Sequence, residues 1–192
     1  VVWMRGRVAP RIAVGSIMVC LKLRTSRLDG VVVSGGEPTI HDDLPELIRR
    51  IKELWYAVKL DTNGTRPEMV GQLIKDNMID FVAMDIKGPL EKYQTIAARP
   101  IDLEAIKETI ALLIKSGVGH EFRTTVVREQ LEPNDFHKVG ELVHGAKRFA
   151  LQHFQTGTTL MPQFHNASTS SEVEFQEAKN IMEGYVGECV IH

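Results

Sequence analysis

Apolar residues recur along this chain in two rhythms. Short β-branched runs read as strands: GVVVSG (30–35), AVKLDT (57–62), DFVAMDI (80–86), HEFRTTVV (120–127), RFALQHF (148–154) and a weaker YVGECVI (185–191). Between them the spacing is helical. Leu44, Leu47, Ile48, Ile51 and Leu54 form one stripe, with Pro45 in its first turn. Leu103, Ile106, Ile110, Leu113 and Ile114 form another, opened by Asp102 as N-cap and stopped by Gly117. Ser171 and Glu174 make a capping box ahead of Phe175, Ala178, Met182 and Tyr185. Shorter helices are predicted over 16–24, 67–75 and 134–143.

Helix and strand therefore alternate six times. That order predicts parallel strands joined by right-handed crossovers, in an α/β fold. The strands read as apolar on both faces, as in a sheet covered by helices on both sides. A barrel and an open doubly wound sheet both fit. The long gap after Ile86, KGPLEKYQTIAARP, reads as a loop.

Composition narrows the class. A chain of 192 residues can bury one sizeable core. Hydrophobic residues make up 43% and charged residues 25%, and the net charge is −2, which argues against a nucleic-acid or membrane surface. No apolar run approaches the roughly 20 residues of a membrane helix. The arginines of VVWMRGRVAPR are not followed by the apolar stretch of a leader, so the cytoplasm is the expected location. Cys20 and Cys189 lie far apart in sequence, and each reads as a small buried hydrophobe.

The chemistry gathers at the carboxyl ends of the strands, where parallel α/β proteins place their sites. Strand one ends in Ser34-Gly35-Gly36-Glu37, the second in Asp61-Thr62-Asn63-Gly64, and the third in Asp85-Ile86-Lys87. The fourth carries Arg123, Thr124 and Thr125, and the fifth Gln152 and His153. Each group also has a structural explanation. Asn63-Gly64 can be only a turn, Asp85 and Lys87 an ion pair, and His153 a core histidine. Arg123 can neutralise Glu121 or another nearby carboxylate. Together they describe a pocket with two carboxylates, two cations and exposed backbone.

The Gly-Gly-Glu-Pro turn suits a cation. Two glycines let a ligand approach the main chain, and their carbonyls can accept from an ammonium. Glu37 adds negative charge, and Pro38 holds the preceding residue extended. A phosphate loop would instead want a lysine and no glutamate. With Lys87 and Arg123 free to take a carboxylate, the expected ligand has the head group of an amino acid.

SGGEP, followed by LDTNG (60–64), MDIKGPLEKY (84–93), EFRTTVV (121–127) and LQHF (151–154), resembles the radical S-adenosylmethionine (SAM) superfamily. The likeness is to anaerobic ribonucleoside-triphosphate reductase activating proteins, relatives of pyruvate formate-lyase activating enzyme. It spans about Leu28 to Ile191. It implies a partial (β/α)6 barrel, of the TIM-barrel kind. It also implies reductive cleavage of SAM to a 5′-deoxyadenosyl radical, and hydrogen abstraction from a glycine of a partner such as anaerobic ribonucleotide reductase. A flavodoxin or ferredoxin would donate the electron. By the same resemblance, Gly35, Gly36 and Glu37 would hold the SAM amino group. Asp61, Thr62 and Asp85 would lie near its methionine moiety, where relatives also place a monovalent cation. Lys87 and Arg123 would face its carboxylate, Val126 or Val127 the adenine, and His153 or Gln152 the ribose and adenine.

One departure is plain. The family holds a [4Fe-4S] cluster on Cys-x-x-x-Cys-x-x-Cys, upstream of the glycine turn, and this chain has only Cys20 there. Residues 1–27 read as an atypical segment before a SAM-binding domain over 28–192. The family's first strand and cluster loop are replaced by VVWMRGRVAPRIAVG, as a truncated or frame-shifted start would produce. The chain as written is expected to lack the family's activity, and its first strand is expected to present an unpaired edge. Two other readings stay open: a lyase or aldolase using Lys87 as a Schiff-base lysine, and a non-catalytic protein that binds SAM or a partner.

Overall fold

A computed structural model describes residues 14–154 and 170–192. Within them the order is α1 (Val14–Lys22), β1 (Gly30–Val33), a 3-10 turn (Pro38–Ile40), α2 (Leu44–Lys52), β2 (Ala57–Thr62), α3 (Pro67–Lys75), β3 (Phe81–Asp85) and α4 (Leu90–Ala97). Then follow α5 (Leu103–Ser116), β4 (Gly119–Val126), α6 (Pro133–Leu142), β5 (Arg148–His153), α7 (Glu172–Met182) and β6 (Glu188–Ile191). All six strands are parallel and lie in one sheet in the order β1-β2-β3-β4-β5-β6.

This order decides between the two architectures left open above. A doubly wound sheet needs a reversal in strand order to put helices on both faces. Here each strand joins its immediate neighbour, so right-handed crossovers place the connecting helices on one side. The result is an open, partial barrel. Among the described residues β1 pairs only with β2, leaving its outer edge free.

The two faces differ, and this corrects the expectation of strands apolar on both sides. Register puts Val58, Leu60, Val82, Met84, Phe122, Val126, Phe149 and Leu151 on the helical face, all of them buried. They pack with Ile48, Ile51, Val70, Leu73, Ile106, Leu113, Val139, Phe175 and Met182 from the helices. The alternate residues make the other face, where the charges of Lys59, Asp61, Asp85, Glu121, Arg123, Arg148 and Glu188 lie among the apolar Phe81, Ala83, Ala150 and Val190. A strand with its charges on alternate positions has only one face for a core.

The caps follow their chemistry. Asp102 accepts from the backbone N–H groups of Glu104 and Ala105 at the start of α5, and Gly117 ends that helix in a left-handed conformation, with φ of 77°. Ser171 and Glu174 form the capping box of α7. The stretch read as a loop after β3 contains α4. Its Tyr93 is buried and donates to the Asp85 carbonyl at 3.3 Å. Lys92 pairs with Asp135 of α6 at 2.7 Å. Leu90, Tyr93 and Ala97 repeat at helical spacing, but flanking prolines and glycine masked the pattern. Among the described residues no helix is long and apolar enough to cross a membrane.

Candidate functional site

The Gly-Gly-Glu-Pro turn leaves β1 beside the end of β2. Glu37 is buried there, and its carboxylate is fully engaged. Oε1 accepts from the Thr39 N–H at 3.1 Å, the Thr39 hydroxyl at 2.6 Å and the Thr62 hydroxyl at 2.8 Å. Oε2 accepts from the Asn63 N–H at 2.5 Å. The Thr62 hydroxyl in turn accepts from the Gly64 N–H. Gly35 has φ of +155°, and a methyl group added at Gly35 or Gly36 would meet no atom within 4 Å. The glycines are therefore not demanded by packing, and the main chain is open to approach from outside.

Next to the turn, strand alternation lines up five charges. Asp61 of β2, Asp85 of β3 and Arg123 of β4 share the helix-free face, with Lys59 two residues before Asp61 and Lys87 two after Asp85. The Arg123 Nε donates to Asp85 Oδ1 at 2.5 Å, and its Nη2 lies 3.4 Å from Asp61 Oδ2. Lys87 reaches Asp85 Oδ2 at 3.3 Å. Burial works against the Arg123 charge, but the carboxylates of Asp85 and Asp61 outweigh it and hold its pKa above the ordinary value. Glu121, one of the partners weighed for Arg123, instead lies 2.8 Å from Arg148 Nε. That contact is off the N–H axis, so it is an ion pair rather than a hydrogen bond.

Asp61 is the underserved member. Its Oδ1 is buried and has no hydrogen-bond partner, and Lys59 Nζ stands 3.7 Å away. A carboxylate oxygen held out of water without a donor is costly unless a ligand supplies one.

A cavity of about 280 Å³ adjoins these charges, lined by Asp85, Lys87, Arg123, Thr125, Val127 and Phe154, with Ile96 and Ala97 of α4 and Gln130 completing it. Its walls are mixed, with apolar side chains from α4 and the β4 end facing one ion-paired rim. Val127 lines it, whereas Val126 packs in the core. Gln152 is in register with Thr125, on the same face as Arg123. His153 is not brought together with the cluster. It shares the helical face with Val126, and its ring lies 3.9 Å from that of Phe175.

Sequence reasoning missed Thr39 and Asn63 as the partners of Glu37, and Ile96, Ala97, Gln130 and Phe154 as cavity walls. Lys59 was findable, since it precedes Asp61 by two on a strand. The walls on α4 were hidden with the helix itself.

SAM and an iron–sulfur cluster must be considered apart. The open glycine turn, the Asp61 oxygen without a donor, and Lys87 with Arg123 fit the ammonium and carboxylate of an amino-acid head group. The cysteines do not fit a cluster. Cys20, expected to be buried, is instead exposed on α1, before β1 at one edge of the sheet, and Cys189 is buried on β6 at the other edge, as expected. Burial pushes the Cys189 thiol up to about 12, away from the thiolate a metal needs. Among the described residues no three His, Cys, Asp or Glu side chains are grouped to hold a metal ion.

Comparison with known proteins agrees with this geometry. Residues 18–142 match the model of the radical SAM superfamily. A protein of Methanocaldococcus jannaschii named as a glycyl-radical enzyme activating enzyme is 35% identical over 168 residues, covering 85% of this chain and 70% of the relative. A Methanococcus maripaludis protein named as a GTP 3′,8-cyclase is 36% identical over 91 residues, which is 46% of this chain and 30% of that protein. Among solved structures, a domain of pyruvate-formate lyase-activating enzyme from Bacteroides vulgatus superposes with a TM-score of 0.69 at 18% identity. The match covers 85% of this chain and 98% of that one. Streptococcus suis SuiB bound to SAM gives a TM-score of 0.73 at 10% identity, over 97% of this chain and 45% of SuiB. The last two likenesses speak to the fold. With the glycine turn, the strand-end charges and the partial barrel in place, the chain belongs to the radical SAM superfamily.

Proposed function

We propose that this chain is the SAM-binding part of an enzyme that activates a glycyl-radical protein. The observation that carries the reading is Asp61. Its buried oxygen has no hydrogen-bond partner, only the Lys59 ammonium at 3.7 Å, and it lies on the face shared with Arg123, at the strand ends where the open Gly35-Gly36 turn also sits. In this reading the carbonyls of Gly35 and Gly36 accept from the SAM ammonium, and Asp61 accepts a further hydrogen bond and balances its charge. Lys87 and Arg123 take the carboxylate. Arg123 is held in place by Asp85, so its orientation is fixed before the ligand arrives. Val127, Ile96 and Ala97 give the adenine an apolar seat in the adjoining cavity, and Gln152 is placed on the ribose side.

SAM held by these residues would supply radical chemistry on one-electron reduction. The residues of this chain do not fit the cluster that delivers that electron, so no electron-transfer step is assigned to it. The M. jannaschii relative supports a partner of the glycyl-radical class. Its name specifies glycyl-radical enzyme activation, and we extend that to this chain, with anaerobic ribonucleotide reductase as one such partner and a flavodoxin or ferredoxin as donor. Lys87 is ion-paired and partly exposed, which is not the desolvated setting that activates a Schiff-base lysine.

Isothermal titration of the purified chain with SAM tests the proposal. One saturating equivalent is expected, with affinity falling at least tenfold in Arg123→Ala and in Asp61→Asn. Absence of saturable binding in the wild type would remove the reading.

A further inference from the structure

Glu37 is the charged residue of the glycine turn, and its expected role is to meet the ligand ammonium. The geometry points to another role. We propose that Glu37 is a positioning residue. It locks the Gly35-Gly36 turn of β1 onto the end of β2, and it acts on the ligand only through the main chain it holds.

Three observations carry this. First, the carboxylate is already occupied. Its two oxygens accept four hydrogen bonds, from Thr39 N–H, Thr39 O–H, Thr62 O–H and Asn63 N–H, and the residue is only 8% exposed. A carboxylate offers about four acceptor sites, so little capacity is left for an ammonium. Second, the donors come from two separate strand ends. Thr39 follows the turn after β1, whereas Thr62 and Asn63 end β2. The carboxylate therefore bridges two segments that no backbone hydrogen bond joins beyond the β1–β2 ladder, whose register ends at Val33 and Leu60. Third, the bridge continues. The Thr62 hydroxyl donates to Glu37 and accepts from the Gly64 N–H. Thr109 of α5 donates to the Gly64 carbonyl at 2.8 Å. A relay of hydrogen bonds thus runs from the glycine turn to a helix of the core, and the open carbonyls of Gly35 and Gly36 sit at its outer end.

This role divides the labour between two carboxylates. Glu37 is saturated by the protein and sets geometry. Asp61, with an oxygen lacking a donor, is left to answer the ligand charge. Charge-assisted hydrogen bonds from backbone N–H and hydroxyl groups are the strong kind, which suits a joint that must not shift.

The inference rests on the SAM-binding reading, but part of its test does not. Amide resonances of the ligand-free protein are recorded for wild type, Glu37→Gln, Thr62→Val and Thr62→Ser, and SAM affinity is measured for the same set and for the Glu37→Gln/Thr62→Val double variant. Thr62 keeps its donor in the serine variant and loses it in the valine one. Expected are displaced Gly35, Gly36 and Asn63 amide signals in Glu37→Gln and Thr62→Val, restored in Thr62→Ser. SAM affinity is expected to fall about tenfold in Glu37→Gln and in Thr62→Val, to lie within about twofold of wild type in Thr62→Ser, and to fall no further in the double variant, because residues acting as one unit are not additive. Glu37 touches the ligand directly, and the proposal is overturned, if Thr62→Val binds SAM like wild type while Glu37→Gln does not, or if the two losses multiply. Should the wild type bind no SAM, the functional reading fails by itself. The ligand-free spectra then decide the joint alone, and unmoved Gly35 and Gly36 signals in Glu37→Gln would sink it.

Discussion

Glycines at two neighbouring turns serve opposite ends, and the difference is measurable. Gly64 has φ of +77°, and a methyl group there would lie 2.0 Å from the Met84 side chain. Gly36 has open space at the same place. Gly64→Ala is expected to cost about 1–2 kcal/mol, chiefly from left-handed backbone strain, since the terminal methyl of Met84 can move aside. Gly36→Ala should leave stability within about 0.5 kcal/mol and weaken SAM binding instead. Urea unfolding and SAM titration of the two variants check this, and a stable Gly64→Ala or a SAM-competent Gly36→Ala would contradict it. The sequence presents both simply as glycines after strands. Which one the fold requires depends on the left-handed φ of Gly64, which is invisible until the turn after β2 is seen. Glu37 shows the same limit. Its place in the turn was legible, but two of its four donors were not, because Thr62 and Asn63 lie 25 and 26 residues away.

At the scale of the element, β4 joins the two faces of the fold most clearly. Arg123 and Thr125 face the site, while His120, Phe122, Thr124 and Val126 face the helices and are buried. His120 opens the buried side. Its Nδ1 lies 3.0 Å from the Val118 carbonyl, and its Nε2 is buried with no hydrogen-bond partner. Burial, aided by nearby Lys147, lowers its pKa from 6.5. The unfolded chain therefore takes up a proton below about pH 6.5 that the folded one resists, so this group's stabilising effect is intact above that pH and is lost as pH falls through the folded value. Urea midpoints of wild type at about pH 7.5 and about pH 5.5 should differ more than those of His120→Gln, whose side chain does not titrate there. Equal differences would show that His120 is not the sensor. Strand identity at β4 was readable from its β-branched run. Its two-faced character was also readable, because Glu121, Arg123 and Thr125 alternate with Phe122, Thr124 and Val126; the register of β3 and β5 adds which neighbouring residues join each side. The helix α4, by contrast, was lost: its few apolar residues gain meaning from Asp85 and α6, which lie elsewhere in the chain.

For the whole molecule, six strands in sequential order put the helices on one side and the charges on the other. That arrangement fits SAM and does not fit a cluster within this chain, since its two cysteines lie toward opposite edges of the sheet. Anaerobic incubation with ferrous iron, sulfide and thiol, followed by desalting, is expected to leave no iron–sulfur absorbance on the protein. Retained iron and sulfide in equal amounts, lost in Cys20→Ala, would contradict this. Parallel alternation was legible in the sequence because six helix–strand periods repeat. The choice of a partial barrel was not, because it rests on which strands become neighbours.

Sequential pairing also bears on how the protein is made. Each strand pairs with the next one in sequence, so no pairing waits for a strand beyond its neighbour. The five charges lie on β2, β3 and β4 and on the residues just after β3, and the turn that accompanies them follows β1. Every one of these groups is synthesised before α6, β5, α7 and β6. A nascent chain can thus lay down the charged rim first, with β5 bringing Gln152 beside Thr125 afterwards, and Phe154 following it to complete the cavity.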